Sequence, residues 1–146
     1  MNEREEAVMQ DAERVNRGSD PHQQGENTML QNFSRIAGVV QGVLGVLGTA
    51  IPDLSAVLGT QLGGNIFNII SGAALSYLGF KGTEANQRTG AQVLGGLNGL
   101  VGLLGAFGVT NLVGIPLSEG VVSTIINLAI GAWGLYAGFA KKAAAK

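Results

Sequence analysis

The chain has 146 residues, a formal net charge of −1 and a pI of about 5.7. It contains no cysteine and one histidine, His22. Disulfides, thiolate metal sites, cysteine nucleophiles, histidine metal clusters and Ser-His-Asp triads are therefore excluded. A near-neutral charge argues against a nucleic-acid partner, which selects basic surfaces.

Composition divides the chain at residue 33. Residues 1–33 carry Arg4, Arg14 and Arg17 against seven acids, a local net of −4, whereas the remainder carries a net of +3. Residues 3–17 favour a helix by propensity, with acids crowding the first turn and arginines the last, as the helix dipole prefers. Val8, Ala12 and Val15 follow a 4-3 spacing that forms a narrow apolar stripe. This stripe is expected to dock the arm on a cytoplasmic partner or a neighbouring protomer. The run from Gly18 to Pro21 is expected to end the arm's helix. Residues 1–17 are charged throughout and lack the apolar stretch of a cleavable signal peptide.

The body from residue 34 is apolar and glycine-rich. The chain's 24 glycines are more than twice the usual share of about 7%, and its 13% charged residues are about half the usual ~25%. Charge-free runs extend over 36–52, 54–80, 89–118 and 120–140. At soluble frequencies, 30 consecutive uncharged residues would occur by chance roughly twice in 10,000 trials. A soluble helix also needs a polar face, and these runs offer only Gly, Ser, Thr, Asn and Gln. The expectation is four transmembrane helices over about 34–51, 64–80, 90–109 and 119–140. A basic tail occupies 141–146. Pro52 and Pro116 read as helix-start signals, the former opening a short interfacial helix over 52–58.

The body reads as an internal duplication of residues 34–80 and 91–139. Gln41-Gly-Val-Leu-Gly-Val-Leu-Gly48 aligns with Asn98-Gly-Leu-Val-Gly-Leu-Leu-Gly105 at an offset of 57. The segments beginning at Asn68 and Asn127 align at an offset of 59, with Asn, Gly, Ala, Tyr, Gly and Phe coinciding. Each repeat is a helical hairpin. Two spans return the chain to its starting side, so the repeats share one orientation and are related by a pseudo-two-fold axis along the membrane normal. The predicted fold is thus all-α: a four-transmembrane-helix bundle of two parallel-oriented hairpin repeats with a polar N-terminal helical arm.

All nine basic residues fall before the first span, between the second and third, or after the fourth. The positive-inside rule then places both termini in the cytoplasm. Tyr77, Phe80, Tyr136 and Phe139 cluster at the cytoplasmic ends, where interfacial aromatics anchor helices. Trp133 is expected to be packed or lipid-facing.

Glycines recur at near-helical spacing: Gly38, Gly42 and Gly45; Gly72 and Gly79; Gly95, Gly99 and Gly102; Gly131, Gly134 and Gly138. Small residues let membrane helices approach closely, either within the bundle or at an oligomer contact. Gln41, Asn68, Asn98 and Asn127 form repeat-related amide pairs. An amide in hydrocarbon needs a partner, so these residues are expected to join helices; a polar path or a weak ligand to a pigment's metal is the alternative. No carboxylate lies mid-span, which counts against proton-driven chemistry.

The stretch Ile126–Leu135 and the glycine run Gly99–Gly105 resemble a family of small four-helix bacterial membrane proteins, common in actinobacteria and cyanobacteria and catalogued as a domain of unknown function. The resemblance covers about 34–140. Members often carry a histidine where Asn127 stands here, and the resemblance brings no activity with it. The leading expectation is a non-catalytic membrane subunit or scaffold of a larger complex or homo-oligomer, in a prokaryotic inner or thylakoid membrane. It would bind no cofactor and have membrane lipid and other membrane subunits, or further copies of itself, as partners. Alternatives are a small channel, holin-like pore or transporter, and a pigment- or lipid-binding accessory protein.

Overall fold

A computed structural model describes residues 4–10, 21–109, 111–112, 115–116 and 120–140. The described residues are helical apart from short connections. Residues 4–10 form α1. There follow α2 (Pro21–Ala50), α3 (Pro52–Leu58), α4 (Leu62–Lys81), α5 (Glu84–Ala106) and α6 (Val121–Phe139). A two-residue antiparallel ladder, β1 (Asn111–Leu112) with β2 (Ile115–Pro116), links α5 to α6.

Local chemistry sets most of these boundaries. Pro52 opens α3 and Asp53 lies in its first turn, as the fixed proline φ and the helix dipole favour. Gly59 closes α3 at φ 66°, a left-handed conformation that suits glycine. Thr83 caps α5, its side-chain oxygen accepting from the Asn86 backbone N–H at 3.3 Å, with Glu84 in the first turn.

Two boundaries depart from expectation. First, α2 begins at Pro21, so the predicted border at residue 33 falls inside one continuous helix of 30 residues, about 45 Å long. Leu30, Phe33, Ser34, Ala37 and Gln41 fall at i, i+3, i+4, i+7 and i+11, on one helix face, and are all buried. That stripe carries the helix past the polar residues before it. Second, Pro116 belongs to β2 and does not start a helix; α6 begins after Gly120.

The helices pair as neighbours along the chain, α2 with α4 and α5 with α6, with thinner contact between the two hairpins. Leu30, Phe33, Ala37, Leu75, Ala91, Ile130 and Ala137 form the buried apolar core, flanked by Met29, Leu94, Ile126 and Trp133. The Phe33 and Trp133 rings meet edge-to-face with centroids 5.4 Å apart, so Trp133 is packed.

Among the described residues, two stretches are long and apolar enough to cross a membrane: Thr28–Ala50 and Val121–Phe139. The other two expected spans, in α4 and α5, do not reach that standard. Glycines and amides dilute α4, and α5 also opens on Glu84, Asn86, Gln87 and Arg88.

Candidate functional site in the bundle interior

Glycine sets how closely the helices approach. A Cβ built on Gly72 would lie 2.7 Å from Gly42 Cα and 2.8 Å from the Gly38 carbonyl oxygen. In the second hairpin a Cβ on Gly131 would press on the Gly99 backbone and lie 3.1 Å from the Gly95 carbonyl oxygen. A Cβ on Gly45 would lie 2.8 Å from Ile69 N, and one on Gly102 would lie 2.8 Å from Leu128 N. A Cβ on Gly38 would lie 3.0 Å from the Gly72 carbonyl oxygen, and one on Gly95 would lie 2.9 Å from Gly134 Cα. A Cβ on Gly79 would lie 2.8 Å from Arg35 N, and one on Gly138 would lie 2.9 Å from Gln92 N. Most of these partners coincide at the offsets of 57 and 59 found in the sequence.

Gly42 and Gly99 differ from the other predicted packing glycines. Their backbones receive Gly72 and Gly131, yet a Cβ on Gly42 would meet nothing within 4 Å. A Cβ on Gly99 would make only ordinary contact, 3.8 Å from Gly131 Cα. The tight members of each crossing are Gly72 and Gly131.

Three of the four predicted amides meet at the centre. Gln41 Nε2 donates to Asn98 Oδ1 at 2.6 Å and to Asn68 Oδ1 at 3.4 Å. Asn98 Nδ2 donates back to the Leu94 carbonyl at 2.8 Å, within its own helix. The Gln41–Asn98 bond joins repeat-related positions across the boundary between hairpins. Asn127 is buried on α6, one turn before Gly131.

The sequence reading missed two sets of contacts. At one end Arg35 Nε donates to the Gly79 carbonyl at 2.8 Å and its guanidinium lies 4.9 Å from the Phe80 ring centre. Gln92 Nε2 donates to the Gly138 carbonyl, also at 2.8 Å. Arg35 and Gln92 are themselves 57 residues apart, a signal that could have found them. Arg88 Nη1 donates to the Ala140 carbonyl at 2.7 Å, and its Nη2 lies 3.6 Å from Glu84 Oε1. These donors satisfy carbonyls that the last turn of a helix leaves without intrahelical partners. At the opposite end, Gly120 N donates to the Gly59 carbonyl at 3.0 Å, and Ser123 Oγ donates to the same oxygen at 3.2 Å. This clasp ties the turn of the first hairpin to the start of α6.

Val8 of the predicted docking stripe is exposed on α1, while Ala12 and Val15 lie outside the described residues. Among the described residues no cluster of His, Asp and Glu has the arrangement to hold a metal ion.

No protein-family model matches the chain, and comparison with curated proteins and with solved structures finds no match. The resemblance of residues 34–140 to a four-helix membrane family is therefore an expectation carried by the residues alone.

Proposed function

We propose that this chain is a non-catalytic integral membrane subunit or scaffold that spans the bilayer four times, with both termini in the cytoplasm of a prokaryotic cell or on the equivalent face of a thylakoid. The observation that carries the reading is the inverted distribution of polarity. The buried side chains include Ser34, Gln41, Asn65, Asn68, Ser71, Asn98, Ser123 and Asn127. The outward-facing side chains include Val39 and Val43 on α2, Ile66 and Ile70 on α4, Leu97 and Leu100 on α5, and Ile125 and Leu135 on α6. Soluble proteins rarely expose apolar patches beyond several hundred Å². A lipid solvent makes the same surface favourable and requires the interior amides to bond one another.

Because this inversion holds on all four long helices, it supports spans in α4 and α5 despite their diluted hydropathy. At about 1.5 Å per residue, the 20 residues of α4 cover about 30 Å, the thickness of a hydrocarbon core. Tyr77, Phe80, Tyr136 and Phe139 are exposed at the end where Arg35 and Arg88 lie. That combination suits a cytoplasmic headgroup region.

The absence of native cysteine permits a direct test. Single variants Ala56→Cys, Ala85→Cys and Val109→Cys place a label in or beside each connection, at residues exposed in the fold. With an impermeant reagent on intact cells, positions 56 and 109 should label and position 85 should be protected. Labelling of position 85 together with the other two would leave α4 and α5 outside the bilayer and overturn the four-span reading. Retention in the membrane after alkaline carbonate washing is expected for every variant.

A further inference from the structure

We propose that the bundle interior binds ordered water at three levels along one face of α2. Three buried side-chain oxygens have no hydrogen-bond partner within the described protein: Ser34 Oγ, Gln41 Oε1 and Asn65 Oδ1. Their residues are 0%, 1% and 2% exposed. Ser34 and Gln41 are seven residues apart on α2, and Asn65 Oδ1 faces Gly48, a further seven residues on, where a Cβ would meet it at 2.5 Å. At about 1.5 Å per residue the three levels are roughly 10 Å apart and together traverse about 21 Å of the bundle.

Buried polar atoms are normally satisfied, and a buried water supplies the missing partner where polar groups converge. At the central level, both Nε2 hydrogens of Gln41 are directed to Asn98 and Asn68, so its Oε1 can only accept from a further donor. At the third level, Asn65 Nδ2 is 3.4 Å from Ser55 Oγ, which in turn lies 3.1 Å from Thr60 Oγ1. Ser55 Oγ also donates to the Thr60 carbonyl at 2.6 Å, so this level is a cluster of polar atoms. Every buried polar residue among those described is neutral, so the ligand is a neutral donor. Leu30, Phe33 and Leu75 are fully buried in the same interior. The inference depends on burial alone and stands apart from the number of membrane spans.

Water-edited solid-state NMR on the full chain in lipid bilayers tests it. The Gln41 and Asn65 side-chain amides should gain magnetisation from water several-fold faster than the buried Leu75 methyls. Equal, slow build-up at all three residues would overturn the proposal. Ser34→Ala provides an independent measurement. A serine bonded to water loses that bond on truncation, so the melting temperature should fall by about 4 °C. An unchanged or raised melting temperature would mean that Ser34 Oγ is dry in the native bundle and would remove that level.

Discussion

The α2/α4 and α5/α6 hairpins share a backbone plan and differ in side chains. At each glycine crossing the same contacts recur: Gly72 against Gly42 and Gly38, and Gly131 against Gly99 and Gly95. Differences concentrate where the hairpins meet each other. Phe33 of the first lies over Gly134 of the second, where a Cβ would be 2.6 Å from the ring carbon Cζ. The residue at the offset of Phe33 is Gly90, which receives the Leu78 side chain, and the residue at the offset of Gly134 is Leu75. Bulk in one hairpin thus faces a glycine in the other. Within a hairpin, backbone approach leaves no room for a side chain at Gly72 or Gly131; between hairpins, bulky side chains meet glycine.

The contrast can be broken most severely at a crossing. Gly72→Val and Gly131→Val should each cost about 3 kcal/mol or more, because the new side chain meets backbone that cannot move aside; thermal unfolding in mild detergent measures this. Equal effects on the two hairpins would sharpen the equivalence, and tolerance at either position would break it. Phe33→Ala should cost about 3 kcal/mol by opening a cavity between the hairpins. Gln41→Leu should cost about 1–2 kcal/mol, since it strips the donor shared by Asn98 and Asn68. Arg35→Gln gives the first hairpin the donor that Gln92 supplies in the second. Its cost should stay within about 0.5–1 kcal/mol, the worth of the contact with Phe80. At the small end, Gly42→Ala and Gly99→Ala should be neutral or stabilising by up to about 1 kcal/mol, as alanine favours helix and its methyl has room.

Much of this arrangement was legible in the residues. The two offsets gave the hairpins and, through them, the glycines that face one another. The tight and roomy members of a crossing were not distinguishable, because spacing places glycines on a face without saying which Cβ points at the neighbour. The polar residues before Leu30 hid the true start of α2, although Leu30, Phe33, Ser34, Ala37 and Gln41 carried the periodic stripe that continues it. Pro116 was misread because a proline suits a short extended ladder as well as a first helical turn. The amides were recognised as glue, but their partners depend on how the hairpins dock, which no local pattern encodes. The glycines and amides that join α4 and α5 to their neighbours also lower the hydropathy of those two helices.

The connection between the hairpins consists of Gly82 and Thr83 alone, and each long helix finds its main partner next along the chain. Biosynthesis can exploit that order. Once residue 81 has left the ribosome, α2 and α4 possess every glycine contact of their own crossing. The first hairpin can close as a finished unit and offer its Gln41 and Phe33 face as a template for the second. The Gly59–Gly120 bond can form only once residue 120 has emerged, and it fixes the start of the last helix to a hairpin made about sixty residues earlier.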